Sequence, residues 1–160
     1  MLRFTREAEY GLLAMTYIAT RPDGELAYRR EIAEHHNIPR EFLAKVLQKL
    51  SRRGLIKSYR GIRGGYLLAR VPAEISIADV VCAVDGPLAL VECARPDGTC
   101  PQDEICGVRN VLWGLQDEIL GMLKRVTVKD LSVHSREKPG DLVTLPAAGA
   151  RRKPRTEGSV

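Results

Sequence analysis

Two features that mark membrane-bound and secreted proteins are missing from this sequence. No stretch approaches the roughly 20 consecutive apolar residues that a membrane-spanning helix needs. The first residues do not resemble a secretory signal, because Arg3 and Arg6 are followed by Glu7 and Glu9 and then by a mixed segment. We therefore expect a protein that does not cross a membrane and that is located in the cytoplasm.

Signatures of catalysis are also missing. The sequence has no glycine-rich phosphate-binding loop, no nucleophile beside a suitable base and no pair of acids in a recognisable catalytic setting. It has no internal repeat either. These absences predict that the protein is not an enzyme, although an enzyme or a cluster carrier with an incidental basic surface stays open as a rival interpretation.

Charge is present in abundance and is unevenly distributed. Of the 160 residues, 44% are hydrophobic, which is enough to form the core of one ordinary domain. Residues 1–70 contain 14 Lys or Arg and 7 Asp or Glu, residues 71–146 contain 7 and 12, and residues 147–160 contain 4 and 1. A concentrated basic region is typical of nucleic-acid binding, whereas a merely solvated surface more often mixes the two signs.

Three helices are predicted in the basic half by apolar residues spaced three and four apart. They cover residues 5–20, 28–35 and 39–53. A turn at residues 36–37 separates the second from the third, and Gly54 is a natural end for the third. The apolar positions of the first and third helices are expected to face the core: Tyr10, Leu13, Ala14, Tyr17, Ile18, Phe42, Leu43, Val46, Leu47 and Leu50.

The third helix has cationic and hydrogen-bonding residues on its other side, which is typical of the second helix of a helix-turn-helix. The β-prone runs at 55–59 and 66–69 flank a tip rich in glycine and arginine, which predicts a hairpin that serves as a wing. A solvated helix followed by an ordinary hairpin is the alternative, but the succession of elements favours DNA binding. The predicted DNA contacts are Arg40, Glu41, Lys45, Gln48 and Lys49 at the major groove, and Arg60 and Arg63 at the flanking minor groove. Glu41 could accept a hydrogen bond from a cytosine amine or pair with Lys45 one turn along the helix.

Three of the four cysteines lie within fourteen residues, in the pattern Cys-x6-Cys-x5-Cys formed by Cys93, Cys100 and Cys106. Proline and glycine keep this segment out of helix and strand, so the thiols can fold around a common point. Soft thiolates at close spacing suit zinc or an iron–sulfur cluster. A structural zinc site more often has Cys-x2-Cys pairs, a disulfide is disfavoured in a reducing compartment, and chance clustering of buried thiols is a further alternative. Cys82 falls off the apolar face of a helix predicted at 77–84, and we interpret it as a structural thiol.

A long helix is predicted from about residue 103 or 107 to residue 125, followed by a short helix at 128–132. The apolar stripe of the long helix is broader than one small domain needs, which predicts a partner helix and a homodimer. The residues from 136 onward are rich in Pro, Gly and Arg, and we expect them to be disordered. The predicted fold class is mainly α, a winged helix-turn-helix with a long C-terminal dimerisation helix, in three parts: residues 1–72 for DNA binding, 73–132 for the cysteine loop and dimerisation helix, and 133–160 as a disordered basic tail.

Together these motifs resemble the Rrf-two family of bacterial transcriptional repressors, whose branches include the IscR, NsrR and RsrR types. The resemblance covers residues 1–131. Its strongest part is the wing and its distance from the cysteines, and the matching stretches are Tyr59-Arg60-Gly61-Ile62-Arg63-Gly64-Gly65-Tyr66-Leu67, Phe4-Thr5-x-x-x-x-Tyr10 and Phe42-Leu43-x-x-Val46-Leu47-x-x-Leu50.

The resemblance implies a homodimer that binds double-stranded operator DNA, with the long helices crossing at the dimer interface. In cluster-binding members three cysteines hold a 2Fe–2S or 4Fe–4S iron–sulfur cluster, which assigns that role to Cys93, Cys100 and Cys106. This chain has one residue more between the first two cysteines than the common form. The same fold without a cluster, switched by thiol oxidation or a small molecule, and a zinc-stabilised interaction module are the alternatives.

The resemblance also bears on a fourth ligand. Some members use a histidine three residues after the last cysteine, but this chain has Arg109 there, and arginine cannot ligate a metal. Other members use a carboxylate from the first helix of the partner subunit, and the matching residue is Glu9. His36 matches a histidine ligand of the RsrR type and is held in reserve. Without a cluster, Glu9 would only stabilise the helix dipole and His36 would be a solvated turn residue.

Overall fold

The computed structural model describes residues 3–61, 64–95, 98–100, 102 and 105–135 of the chain. Within these ranges the main elements are α1 (Arg6–Ala19), α2 (Arg29–His35), α3 (Arg40–Arg52), β1 (Ile56–Ser58), β2 (Tyr66–Leu68), α4 (Ile77–Asp85), α5 (Arg109–Arg125) and α6 (Val128–His134). Short 3₁₀ turns at Pro72–Glu74 and Glu92–Ala94 lie before and after α4. Arg63 and the basic tail from residue 136 lie outside the described residues.

The ends of the helices follow from local sequence. Thr5 caps α1, because its hydroxyl oxygen accepts a hydrogen bond from the backbone N–H of Ala8 at 3.1 Å. Ser76 and Asp79 form a reciprocal capping box at the start of α4, with N···O distances of 2.9 and 3.1 Å. Gly54 ends α3 with φ of 70°, which glycine adopts without strain. These three helix ends therefore lie within one residue of the positions that the sequence predicts.

The core lies where α1 packs against α3, α4 and α6, and α2 packs against α3. Its largest fully buried side chains are Met15, Ile32, Leu43, Leu47, Leu50, Ile75, Val46, Val80 and Val128. The predicted inward face of α1 was partly wrong, since Leu13 is exposed whereas Ala8, Gly11 and Met15 are buried. The reason is that α4 covers the Gly11 side of α1, where an added Cβ would lie 3.2 Å from Val84 Cγ2.

The hairpin of β1, β2 and the connecting residues 59–65 is called the wing. Its strands pair antiparallel with Ile56 opposite Leu68. Ala27, just before α2, exchanges two backbone hydrogen bonds with Tyr66 at 3.0 and 2.9 Å, so the wing is tied to the start of α2. At the tip, an added Cβ on Gly64 would lie 2.3 Å from the carbonyl oxygen of Tyr59, so this turn requires glycine.

The last two helices differ in burial, because α6 packs on α1 whereas α5 is largely exposed. None of the α5 residues, all of which the structure describes, is buried in the single chain. α6 continues to His134, two residues beyond the predicted end, and begins with a capping box formed by Thr127 and Asp130. Among the described residues, no helix is both long and apolar enough to cross a membrane.

Candidate nucleic-acid interface and cysteine segment

The turn between α2 and α3 sets the orientation of α3 relative to α2. Asn37 has a left-handed φ of 51°, a conformation that asparagine tolerates better than most residues. Glu34 on α2 accepts from Arg30 at 2.8 Å and from Arg40 at 3.0 Å. The hydrogen bond from Arg30 is the main cause of a lowered pKa of the Glu34 carboxyl, and the charge of Arg30 and the hydrogen bond and charge of Arg40 add to it. Arg40, a predicted DNA contact, is exposed, and its ion pair with Glu34 connects the start of α3 to α2 across the turn.

The face of α3 that points away from the core is polar. The buried residues of α3, on the opposite face, are Leu43, Val46, Leu47 and Leu50. At about 100° per residue, four exposed residues lie within about 30° of the direction opposite to that buried stripe: Glu41, Lys45, Gln48 and Arg52. The outer face of α3 thus carries one acid, one amide and two cations in position to meet a ligand surface.

Phe42 is a candidate contact that the sequence placed in the core. Its side chain is 49% exposed, and the Lys45 ammonium lies 5.9 Å from the centre of its ring. Within the described residues, Glu41 makes no ion pair with Lys45, so the second alternative for Glu41 is not realised. Phe42 lies about 90° from the centre of the buried stripe, and at such a border position the apolar pattern does not decide between core and surface.

A groove of about 460 Å³ separates α3 from the wing. We call it the wing groove; its polar lining consists of Gln48, Ser51, Arg52, Ser58, Arg60 and the partly buried Tyr66. Two guanidinium groups and several hydroxyl groups in one groove are suited to the phosphate oxygens of nucleic acid. Ser51 and Ser58 have no recognisable signal in the sequence, because only the folding of the wing against α3 brings them together.

Lys49 differs in its contacts from the other predicted DNA contacts that the structure describes. Its ammonium forms an ion pair with Glu7 of α1 and donates to the backbone carbonyl of Val84 on α4 at 2.9 Å. The side chain is therefore directed to the side of α3 that packs on α1 and α4. The structure does not bring Lys49 together with Lys45 and Gln48.

The cysteine segment connects α4 to α5. Cys93 lies in the 3₁₀ turn at Glu92–Ala94, Cys100 in an irregular stretch, and Cys106 three residues before α5 begins. All four cysteines are free thiols and are partly buried. The amide oxygen of Gln116 on α5 accepts from the backbone N–H of Leu90 at 3.0 Å, so the start of the segment is held against α5.

The donor chemistry of the segment fits an iron–sulfur cluster, since three free thiols lie within fourteen residues. Within the described ranges of a single chain, however, no three His, Cys, Asp or Glu side chains come together as a metal site. The thiols are thus available for a cluster, but their positions in one chain do not form its ligand shell.

The two residues considered for a fourth ligand lie on different elements, Glu9 in α1 and His36 directly after α2. Glu9, in the first turn, is 46% exposed at its side chain and pairs with Arg6 at 3.1 Å. His36 packs edge-on against Tyr17, in the last turn of α1, at 5.9 Å between ring centres. Burial first, and the neighbouring His35 second, lower the pKa of His36. Its Nε2 is buried and has no hydrogen-bond partner among the described residues, so His36 is not simply a solvated turn residue.

An exposed polar helix in a helix-turn-helix, followed by a two-stranded wing, defines a winged-helix DNA-binding protein. The profile of the Rrf2 family, described as an iron-dependent transcriptional regulator, matches residues 4–134. The chain belongs to this family, the Rrf-two family that its motifs resemble, and its relatives are transcriptional regulators rather than enzymes.

Individual relatives agree with this assignment. The chain is 33% identical over 137 residues to the HTH-type transcriptional regulator NsrR of Halalkalibacterium halodurans, covering 85% of this chain and 94% of that protein. It is similar in structure to CymR (YrzC), the global cysteine regulator of B. subtilis, with a TM-score of 0.68, 28% identity, and coverage of 84% of this chain and 98% of that one. It is also similar to T. potens IscR, with a TM-score of 0.68, 25% identity, and coverage of 85% and 90%.

Proposed function

We propose that the protein places α3 in the major groove of double-stranded operator DNA and the wing in the adjacent minor groove. The observation that carries the proposal is the exposed polar face of α3, which lies beside the wing groove. A major groove about 12 Å wide admits an α-helix. Lys45 and Gln48 then meet base edges or phosphates, and Glu41 accepts from a cytosine amine. Arg52 and Arg60 meet the backbone that passes through the wing groove.

The proposed regulator acts as a homodimer whose interface is α5. Val108, Val111, Leu115 and Met122 lie on α5 or directly before it, at spacings of three, four and seven residues, and all four are exposed in the single chain. An apolar face of this length is typical of a protein–protein interface. A second copy is the occupant that fits best, because two symmetric winged helices match a palindromic operator.

The regulatory part of the proposal is that an iron–sulfur cluster sets operator affinity and that the protein is a repressor. Cys93, Cys100 and Cys106 would hold the cluster, and Glu9 of the second subunit would be the fourth ligand. Its support is the presence of three free thiols in one segment and the membership of a family described as iron-dependent. When bound, the cluster would supply a centre sensitive to redox state, nitric oxide or iron supply.

Anaerobic purification tests the cluster. We expect coloured protein that contains both iron and acid-labile sulfide, and we expect Cys93→Ala, Cys100→Ala and Cys106→Ala to lose both. Cys82→Ala is the matched control, since Cys82 lies on α4 outside the segment, and it should keep both. Glu9→Ala should alter the absorption spectrum while the metal-free variant still binds operator. Colourless protein without sulfide after reconstitution would contradict the proposal.

A second candidate is a regulator of the same fold that responds through its thiols alone. Its support is that all four thiols are free and partly buried, and that the similar CymR structure is described as a cysteine regulator. In that case metal-free protein changes its operator affinity on mild oxidation, and Cys-to-Ala variants in the segment do not. Zinc without sulfide in the purified protein would instead indicate a zinc-stabilised module.

A further inference from the structure

One ammonium group connects three helices of the DNA-binding domain. Lys49 on α3 forms its ion pair with Glu7 on α1 and donates to the Val84 carbonyl on α4 at 2.9 Å. Its side chain is 40% exposed and that of Glu7 33%, so water only partly screens the pair. A hydrogen bond that involves a charged group contributes more than a neutral one, and here it joins elements that are far apart in the sequence.

The three helices that Lys49 connects are tightly packed around Val84. An added Cβ on Gly11 of α1 would lie 3.2 Å from Val84 Cγ2 and 3.7 Å from Val46 Cγ1, so α1, α4 and α3 meet directly here. The hydroxyl of Thr5 donates to the carboxylate of Asp85, with O···O distances of 2.7 and 2.9 Å. The last turn of α4 is therefore attached both to the start of α1 and to α3. We call this arrangement the α4 anchor.

The contacts of Lys49, rather than its angular position on α3, direct its ammonium away from the DNA-facing side, since Lys45 lies only about 40° away around the helix. Lys49 and Ser51 are two residues apart, which places them about 160° apart around the helix. Ser51 lines the wing groove, so Lys49 lies on the opposite flank. Val84, its partner, is nine residues before Cys93. Lys49 thus joins the recognition helix to the end of α4, from which the chain enters the cysteine segment.

We propose that Lys49 is a positioning residue that holds α3 in its DNA-reading rotation and couples it to the end of α4. It makes no contact with DNA in this arrangement. A change in the cysteine segment that moves Val84 or Asp85 is transmitted to α3 through the α4 anchor. This inference rests on the proposed DNA-binding function, but it concerns contacts within the chain that can be measured without DNA.

Salt dependence distinguishes a positioning residue from a phosphate contact. Full-length Lys49→Met and Lys45→Met would be compared with wild type on an operator selected by the protein from random duplex DNA. We expect Lys49→Met to lower affinity roughly tenfold without changing the slope of log affinity against log salt. Lys45→Met should reduce that slope by about 0.9 for each phosphate that Lys45 neutralises in the wild-type complex. A slope reduced equally in Lys49→Met would make Lys49 a DNA contact and overturn the proposal.

The link itself is tested by its partners. Glu7→Gln should reproduce most of the loss seen in Lys49→Met, and the double variant should lose little more, because both changes break one connection. Lys49→Arg should recover most of the affinity, since it keeps the charge and the donors. Additive losses from Glu7→Gln and Lys49→Met would show that the two residues act separately, and would also overturn the proposal.

A measurement on the free protein keeps the test independent of DNA. Amide hydrogen exchange at residues 82–86, where the Gly86 N–H donates to the Cys82 carbonyl at 3.1 Å, should quicken severalfold in Lys49→Met and Glu7→Gln but not in Lys45→Met. Unchanged exchange in folded Lys49→Met would refute the α4 anchor. If the selection yields no DNA that wild type binds, but hydrogen exchange changes as expected, the proposed function fails and the α4 anchor stands.

Discussion

Removing the Arg60 guanidinium from the wing should weaken operator binding in a salt-dependent way. Arg60 is exposed at the start of the tip and lines the wing groove beside Arg52 and Ser58. A guanidinium in this position reaches the phosphates, or the narrow minor groove, of DNA that is bound to α3. Arg60→Ala removes that interaction, and the glycines that shape the wing turn are unchanged.

The expected size of the effect follows from two wings per dimer. A charge-assisted contact contributes about 1–2 kcal/mol, so the dimer should lose roughly 2–4 kcal/mol, or about 30- to 900-fold in affinity. If Arg60 neutralises one phosphate in each wing, its removal lowers the salt slope by about 1.8. Between about 50 and about 200 mM salt, the ratio of wild-type to variant affinity should therefore shrink about 12-fold.

Fluorescence anisotropy with a labelled operator duplex, measured across this salt range, gives both the affinity and the slope. Arg70→Ala is the matched control, because Arg70 is an exposed arginine that follows β2 at the base of the wing, on the side that faces the turn after α1. We expect the control to leave the slope unchanged. Equal affinity and equal slope for Arg60→Ala and wild type would refute the assignment of the wing to DNA.

Four further predictions concern other parts of the structure. Phe42→Ala should weaken operator binding about fivefold, and replacing thymine by uracil in the operator should weaken wild type but not the variant, because uracil lacks the methyl group that an exposed apolar side chain would contact. Asn37→Val should lower the free energy of unfolding by about 1–2 kcal/mol in urea titrations, whereas Asn37→Gly should not, because valine resists the left-handed backbone. Val111→Asp should give monomers in sedimentation at concentrations where wild type is dimeric, since it puts a charge in the apolar face of α5. In metal-free protein, the free energy of unfolding should fall less steeply for His36→Gln than for wild type as the pH drops below about 6.5. The reason is that the lowered pKa of His36 makes the unfolded chain bind a proton at a higher pH than the folded chain does.

Each of these predictions has a result that would contradict it. Equal discrimination of thymine and uracil by Phe42→Ala and wild type would remove Phe42 from the interface. Equal unfolding free energies for Asn37→Val and Asn37→Gly would show that the turn relaxes without strain. Dimeric Val111→Asp would move the interface away from this face of α5, and an unchanged pH profile in His36→Gln would assign the titration to another group.

Local sequence determined most of the helix ends, because capping is a short-range interaction. Thr5, Ser76 and Gly54 are all chemically suited to begin or end a helix, and each does so in the structure. The wing is also local, since its glycines permit the tip and its β-prone runs pair directly across it. Family membership followed from the same short motifs, and the family match at residues 4–134 confirmed it.

Tertiary packing alone decided whether residues at the edge of a helix's apolar stripe are buried or exposed. Periodicity defines the middle of an apolar stripe, but Phe42 and Lys49 lie on one flank of α3, about 90° and about 110° from that middle. They are seven residues, or about 10 Å, apart along the axis. At the Lys49 end, α1 and α4 are close enough to supply a carboxylate and a carbonyl, and at the Phe42 end the ring stays exposed. Which flank positions are covered depends on where other helices end, and no pattern within α3 contains that information.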